Sequence, residues 1–192
     1  MPTAMPTDYQ LLAPTDHQRR PELGRGDDFI KALLHRGLVA HLGNVSGDQP
    51  FVHPTNYWYD EPSHRLVFHG HLAGRTRSNL DHFSRACAEV SEVGRLLPSN
   101  SPYELSIQYR AVLVFGTVAV LTEPAEARAA LTGLIGRYFP ALREGVDYRP
   151  ITAQELGATS VYALRIERWS GKENWPEAAE QLADWKPLDS PR

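Results

Sequence analysis

One long apolar run, residues 106–121, constrains the fold of this chain more than any other segment. It has the β-branched and aromatic composition of a strand, and from Ala111 onward both of its faces are apolar. A strand buried on both faces needs a barrel interior on one side and a helix or a second subunit on the other. Gly116 interrupts the run and predicts a bend. We therefore expect a β-rich domain built around this strand.

The rest of the chain predicts about six strands with few helices between them. Because strands follow strands through short turns, the sheet should be mostly antiparallel. A small closed barrel would leave no exposed edges, so the expected fold class is mainly β with peripheral helices. Pro54 places its strand at an edge or a bulge. The predicted strands are 38–42, 49–59, 65–71, 86–93, 106–121 and 160–169, and the predicted helices are 27–36, 74–83, 124–138 and a short one capped at 152–155, with a loop at 43–48.

Both ends of the chain differ from the β-rich body of the protein, which we place at residues 26–175. Residues 1–25 are broken by prolines and have no apolar period, which indicates an extended arm. Disorder is the favoured interpretation of the arm, and the alternative is that it wraps a partner subunit. Residues 176–192 are predicted to form a helix at 177–184 and a loose tail.

Charge and cysteine content exclude several classes of protein. The net charge of −3 argues against a general nucleic-acid binder, which usually carries a strong basic excess. Cys87 is the sole cysteine, so no internal disulfide can form, which fits a reducing cytoplasm. The first residues lack the apolar core of a signal peptide, and no segment is long enough to cross a membrane. We expect a cytoplasmic protein without nucleic-acid or membrane partners.

The strongest functional signal is a strand that ends in His69-Gly70-His71 and runs into a short basic helix. Free backbone N–H groups at a helix start attract anions. Arg75 and Arg77 lie in that first turn, where a bare helix favours acidic residues. Gly74 lets the backbone approach a ligand, and the planar guanidinium of Arg75 suits phosphate. For Arg77 alone, a solvated helix face is the favoured interpretation.

Three interpretations of the pair His69 and His71 are open. Residues two apart on a strand share a face, so the two imidazoles could coordinate a metal ion. A cupin-like site would want a glutamate shortly afterwards, yet no acidic residue precedes Asp81. Alternatively, one histidine is a packed strand residue and the other lies in a loop. The basic turn that follows favours the third interpretation, in which His69 lies beside a planar cofactor as donor or proton carrier.

Three further groups of residues are candidates for ligand contact. Pro54 frees backbone groups in its strand, beside the donors and acceptors of Thr55 and Asn56, although a simple edge bulge is common. Residues 169–175 combine two tryptophans, a glycine and a lysine, which would suit an aromatic phosphorylated ligand, although a tryptophan at a strand end is more often core. Arg110 lies in an apolar strand and therefore needs a carboxylate or a ligand as its partner.

These elements, in this order, resemble the pyridoxamine 5′-phosphate oxidase-like, FMN-binding split-barrel proteins, and most closely their NimA-like branch, the 5-nitroimidazole resistance proteins. The resemblance covers roughly residues 27–175. Each motif is short, but the occurrence of five motifs in the same order makes the resemblance specific. The segments that carry it are 49–57, 66–75, 89–92, 109–116 and 168–172.

The resemblance implies a six-stranded split barrel that forms a homodimer, with two FMN sites at the subunit interface. It also implies flavin-mediated electron transfer, and as the activity it implies reduction of the nitro group of a small nitroaromatic compound to an amine. His69 resembles the histidine that NimA-like proteins keep near the cofactor. The implied cofactor-binding residues are Pro54, Thr55, Asn56, His69, Gly70, Gly74, Arg75, Tyr109, Arg110, Trp169 and Lys172.

Other functions stay open at this point. A flavin- or haem-binding module without turnover is one, because eight histidines keep haem open although no haem attachment motif is present. A structural dimer with an empty pocket is another. A vitamin B6 oxidase is disfavoured, because that enzyme's substrate-phosphate residues cannot be placed in this sequence. A related oxidase acting on another substrate stays open.

Overall fold

The computed structural model describes residues 8–186 and 188. Within them, one antiparallel sheet of eight strands is flanked by four α-helices. The strands are β1 (Gly24–Arg25), β2 (Ala40–Ser46), β3 (Gln49–Thr55), β4 (Trp58–Asp60), β5 (Arg65–His71), β6 (Arg85–Leu97), β7 (Ser106–Val120) and β8 (Thr159–Asn174). The helices are α1 (Asp27–Arg36), α2 (Arg75–His82), α3 (Pro124–Tyr138) and α4 (Ala153–Ala158).

The sheet is a curled but open path, β3-β2-β6-β7-β8-β5-β4, and β1 pairs with β8. The expected closed barrel is wrong: among the described residues, β3 and β4 do not pair and both remain edges. The six strands of seven residues or more lie where the six were predicted. The predicted strand 49–59, however, is divided into β3 and β4 at Asn56 and Tyr57, and β1 was not predicted. Residues from both ends of the path, such as Leu42 of β2 and Tyr59 of β4, share one core. This is a split barrel.

The central strand β7 organises that core. Val112 and Val114 are buried inside the barrel, as two-residue periodicity requires. Leu113, on the opposite face, is 39% exposed, so the second face of β7 is not covered within one chain. The pairing of β7 with β8 shifts register between Phe115 and Gly116, which confirms the predicted bend.

Two local predictions about β2 and β3 had different outcomes. The loop expected at 43–48 is wrong, because β2 continues to Ser46 and only Gly47 and Asp48 form the turn into β3. Gly47 has a positive φ of 62°, which a glycine adopts without strain and which allows so tight a turn. The edge position expected for Pro54 is confirmed, because β3 ends the sheet path.

The four helices predicted in the body are confirmed, including the capping box of Thr152 and Glu155 on α4. None of the helices in the described residues has the length and apolar character needed to span a bilayer.

The two ends are more ordered against the sheet than expected. Residues 1–7 of the predicted arm lie outside the described residues, but Gly24 and Arg25 pair with β8, so disorder is wrong for the end of the arm. The helix expected at 177–184 is absent from the described chain, which shows bends and turns there. Side chains of the β6–β7 loop donate hydrogen bonds to backbone carbonyl groups of residues 177–184. Ser99 Oγ donates to the Glu180 carbonyl at 2.6 Å, and Asn100 Nδ2 donates to the Leu182 carbonyl at 3.0 Å.

Gly116 should tolerate no side chain, because a Cβ there would lie 1.9 Å from the Arg165 carbonyl oxygen. We expect Gly116→Ala to lower the free energy of unfolding by about 1–3 kcal/mol in urea denaturation. Gly136→Ala is the matched control, since a Cβ there meets nothing within 4 Å on α3. It should raise the free energy of unfolding by about 0.5–1 kcal/mol. Equal stability of the two variants would contradict the close β7–β8 approach.

Candidate functional site

The start of α2 is an uncapped helix N-terminus with basic side chains. No side chain caps it, and its first turn contains no acidic residue. Gly74 is extended, and a Cβ there would meet nothing within 4 Å, so the space in front of the helix is open. Free N–H groups, the helix dipole and Arg75 together make this end attractive to an anion.

Arg75 and Arg77 differ in their partners. Arg77 Nε lies 2.8 Å from Asp81 Oδ2, and its Nη1 donates to Ser160 Oγ at 3.0 Å. Arg75 is exposed, and no carboxylate of the described residues lies within 4.0 Å of its guanidinium. Its guanidinium carbon instead lies 5.3 Å from the ring centroid of Phe51 on β3. Arg75 is therefore available to a ligand, whereas Arg77 is held by the protein.

The same contact joins α2 to the edge strand that carries the predicted ring contacts. Phe51 and Thr55 share one face of β3, and Pro54 lies on the other. Thr55 Oγ1 donates to the Asn56 carbonyl at 3.0 Å, so this hydroxyl is engaged locally. Pro54 and Asn56 are exposed. The structure thus brings Arg75 and Gly74 together with the strand that carries Pro54, Thr55 and Asn56.

His69 opens into a separate cavity of about 450 Å³ beneath α3 and α4. It shares the outer face of β5 with Val67, which packs against α3, while Phe68 points into the barrel core. The cavity has an apolar floor and a polar rim. Its lining is His69, Leu131, Leu134, Ile135, Tyr148, Arg149, Ile151, Glu155 and Thr159.

The apolar surroundings lower the pKa of the His69 imidazole, because burial disfavours its charged form. The ring is therefore neutral at pH 7 and offers one donor and one acceptor nitrogen. Across the cavity, Arg149 forms two hydrogen bonds of 2.7 and 2.6 Å with Glu155, and they hold the pKa of that carboxyl well below its usual range. Sequence reasoning identified Glu155 as a cap but gave no signal for Tyr148 or Arg149 at this site.

The neighbours of His69 have smaller roles. Gly70 pairs with Ser160 on β8, and a Cβ there would make only an ordinary contact of 3.5 Å with the Tyr162 ring. His71 Nδ1 lies within 3.0 Å of the Ala73 carbonyl oxygen, so it is tied to its own turn. Across the described residues, no group of three His, Cys, Asp or Glu side chains is arranged to hold a metal ion.

Arg110 is paired with carboxylates. Its Nε donates to Glu173 at 2.6 Å, its Nη1 lies 3.7 Å from Glu92, and its guanidinium lies 4.1 Å from the ring centroid of Trp175. Arg110 lowers the pKa of Glu173 by its hydrogen bond. Of the two partners left open for Arg110, the carboxylate is the one the structure places there.

Trp169 and Lys172 lie at the same end of the sheet as Arg110. Trp169 packs against the core, and its indole N–H donates to Asp27 at 3.0 Å. Lys172 is half-buried and pairs in register with Ala111, next to Tyr109 and Arg110 on β7. Val161, the β8 partner of His69, precedes Lys172 by 11 residues, about 36 Å of strand. The predicted site residues therefore fall into three places, and one chain does not bring His69 and Lys172 together.

The outer face of the sheet is apolar and uncovered. Val52, Gly43, Cys87 and Phe115 lie side by side across β3, β2, β6 and β7. They line a groove of about 400 Å³ in which Val52 is 70% exposed. Burial raises the pKa of the Cys87 thiol, which stays protonated at pH 7.

Comparison with known proteins identifies relatives of this architecture. A family model described as pyridoxamine 5′-phosphate oxidase matches residues 27–173. No protein of curated function matches the chain in sequence. The chain is similar to the flavocytochrome Anf3 from Azotobacter vinelandii, with 27% identity, a TM-score of 0.77, and coverage of 94% of this chain and 87% of that one.

Two further solved structures are similar. The FAD and haem binding protein from Mycobacterium smegmatis is 26% identical, with a TM-score of 0.71, over 80% of this chain and 75% of that one. A proposed 5-nitroimidazole antibiotic resistance protein from Bacteroides thetaiotaomicron is 18% identical, with a TM-score of 0.66, over 78% of this chain and 86% of that one. The last similarity concerns the fold alone.

Proposed function

The chain belongs to the pyridoxamine 5′-phosphate oxidase family, and on this premise we propose that it is a flavin-binding redox protein. The observation that carries the proposal is the exposed Arg75 guanidinium at the uncapped start of α2, stacked on Phe51 of the edge strand. A phosphate placed there would meet Arg75 and the free N–H groups of the helix. The flavin's ring system would then lie along the exposed Pro54–Asn56 edge.

The groups around the start of α2 fit a flavin better than they fit a bare phosphate. The open space at Gly74 admits a phosphate, and the edge of β3 offers unpaired backbone groups beside it. Anf3 is described as a flavocytochrome and the mycobacterial relative as an FAD and haem binding protein, which supports a flavin here. The sequence resemblance implies FMN, whereas the mycobacterial relative's description names FAD.

A bound flavin supplies the electron transfer, and the protein supplies binding, orientation and charge. Arg75 and the helix start hold the phosphate. Pro54, Thr55 and Asn56 orient the ring edge, and the neutral His69 is a donor or proton carrier for a substrate in its cavity. Reduction of a nitroaromatic ring is the activity that the NimA-like motifs favour, and the apolar floor of the His69 cavity would accept such a ring. We also propose a cytoplasmic location, because a chain with a single cysteine needs no oxidising compartment.

We further propose that the protein works as a homodimer through the outer face of β2, β3, β6 and β7. Val52 and Leu113 on this face are exposed in the single chain, and β7 is apolar on both sides. A second subunit would cover the face. It would also offer a route for Lys172 and Trp169 to reach a flavin held by the partner, which the length of β8 prevents within one chain.

Removal of the Arg75 charge should weaken flavin binding. We expect Arg75→Ala to raise the flavin Kd at least tenfold, measured by quenching of flavin fluorescence, because a charge-assisted pair with phosphate is lost. Arg77→Ala is the matched control, with the same change of charge two residues along α2. Its Kd should stay within about twofold of wild type, since Arg77 is bound to Asp81 and Ser160. Equal losses in both variants would exclude a specific phosphate contact by Arg75.

A charge on the outer face should break the dimer. Leu113→Glu places a carboxylate in the middle of the apolar face, opposite Glu89 on β6. We expect a monomer by light scattering, with a weakened flavin affinity. Leu142→Glu, on an exposed loop, should leave the oligomeric state unchanged. If the wild-type protein is a monomer and still binds flavin, the proposed interface is refuted.

A second candidate function is haem binding in the His69 cavity. Leucine and isoleucine side chains line this cavity, and the neutral imidazole is the form that ligates iron. The flavocytochrome Anf3 and the mycobacterial FAD and haem binding protein support the candidate by their descriptions. His69 would then serve as an axial ligand instead of a proton carrier.

The absorption spectrum of the purified protein and of His69→Ala separates the two roles of His69. With His69 as a proton carrier, the spectrum shows flavin alone, and His69→Ala keeps flavin but loses most of its turnover of a 5-nitroimidazole with reduced protein. With His69 as a ligand, a Soret band is present and disappears in His69→Ala. His71→Ala is the control for both readouts. If His69→Ala keeps full turnover of the 5-nitroimidazole and an unchanged spectrum, His69 has neither role.

A further inference from the structure

The segment that joins α3 to β8 has little attachment to the rest of the protein. This flap, residues 139–158, follows α3, contains α4 and ends where β8 begins. None of its side chains is buried, and only Tyr148, Ile151 and Leu156 are half-buried. Segments with so few buried side chains open at a low cost in free energy. The flap is therefore loosely held against the sheet.

The hydrogen bonds of the flap are mostly internal. Arg149 forms its two hydrogen bonds with Glu155, and Glu155 closes the capping box with Thr152. Between the first residue of the flap and α4, one hydrogen bond joins it to the rest of the described chain: Arg128 of α3 donates through Nη1 to the Ile151 carbonyl. A loop that is packed on itself in this way can move as one body and is commonly functional.

Both ends of the flap are fixed. At the α3 end, the Tyr138 hydroxyl donates to the Leu38 carbonyl at 2.6 Å and accepts from the Tyr57 N–H at 2.9 Å. At the β8 end, the Leu72 N–H donates to the Ala158 carbonyl at 3.1 Å. Because the chain is held at these two points, they are the hinges about which the flap would rotate.

Cavities on both sides of α4 give the flap room to move. On one side is the His69 cavity, which Tyr148, Ile151 and Glu155 of the flap help to line. On the other side, a cavity of about 340 Å³ lies between α4 and the first turns of α3. Protein interiors are normally close-packed, so a short helix between two cavities is weakly fixed in place.

The wall of the His69 cavity that the flap supplies contains a free hydroxyl group. Tyr148 is half-buried there, and its hydroxyl makes no hydrogen bond to any described residue. His69 lines the same cavity and is still exposed to solvent. A substrate in the cavity can therefore receive one hydrogen bond from Tyr148 and one from the neutral imidazole, and movement of the flap toward His69 would exclude water from it.

We infer that the flap closes over the His69 cavity when a substrate binds, and that it brings the Tyr148 hydroxyl onto the substrate. The inference rests on the proposed role of this cavity as the substrate site. Tyr148 is then a binding residue that orients the substrate against His69. The movement requires no flavin, so its test is separate from that of the phosphate contact at Arg75.

Hydrogen exchange read by mass spectrometry tests the mobility of the flap. In the free protein, we expect the amides of α4 to exchange at least tenfold faster than those of α3, together with those of residues 140–152. Arg128→Ala should speed the exchange of this whole unit at least threefold, because it removes the bond to the Ile151 carbonyl. Exchange in α4 as slow as in α3, or unchanged by Arg128→Ala, would overturn the inference.

The matched control is Arg95→Ala. Arg95 binds the carbonyl and the carboxylate of Glu177, so it holds a different peripheral segment. We expect Arg95→Ala to speed exchange near Glu177 and to leave the flap unchanged. Slow exchange of the β7 amides in both variants shows that each is folded. Faster exchange of the flap in Arg95→Ala would mean general loosening and would contradict a separate flap.

A 5-nitroimidazole is the probe for closure, used with the oxidised protein so that no reduction occurs. At saturation it should slow exchange of the flap at least fivefold and leave the β6–β7 loop unchanged. Tyr148→Phe should raise the Kd of the probe at least threefold by calorimetry, because one hydrogen bond is lost. Tyr103→Phe, at a 96% exposed tyrosine of the β6–β7 loop, should leave the Kd unchanged.

The outcomes of this experiment separate closure from the substrate assignment. A bound probe that leaves exchange of the flap unchanged would refute closure, and an unchanged Kd in Tyr148→Phe would refute the contact with Tyr148. In both cases the proposed flavin chemistry would stand. A wild-type protein that does not bind the probe would overturn the nitroaromatic substrate and, with it, closure on that substrate.

Discussion

The pairing of β7 with β6 on one side and β8 on the other is the interaction on which the rest of the structure depends. β7 and β8 are the longest strands, and their ladder runs from Tyr109 opposite Asn174 to Val120 opposite Tyr162. Gly116 allows the two backbones to approach where the register shifts, and the inward valines of β7 fill the barrel. Because this ladder is long, it also fixes which site residues can be near one another.

The three groups of candidate residues follow from that geometry. His69 pairs with one end of β8, while Arg110, Trp169 and Lys172 lie at the other. Arg110 is surrounded by carboxylates and an indole, so its charge is compensated by the protein. Arg75 lacks such compensation among the described residues and lies at a helix start that attracts anions. Exposure and pairing, and not residue type, separate the paired Arg110 from Arg75, the arginine that we propose binds phosphate.

Much of the fold could be predicted from the sequence because its signals are local. A long apolar, β-branched run placed β7, Pro54 placed β3 at an edge, and Thr152 with Glu155 placed the cap of α4. Predictions failed where distant contacts override local preference. Residues 177–184 have helix-like composition, yet Ser99 and Asn100 bind their carbonyl groups. β2 extends through a stretch of loop composition because β3 pairs with it there.

The sequence by itself determined the family and the β-rich class, because these depend on the order of short motifs along the chain. Only the tertiary structure decided that the barrel opens between β3 and β4, that His69 faces an apolar cavity and that Arg110 is paired with Glu173. It also placed Tyr148 and Ile151 in the wall of that cavity. The reason is physical: burial, pairing and cavities arise between segments distant in sequence, and no local pattern records them.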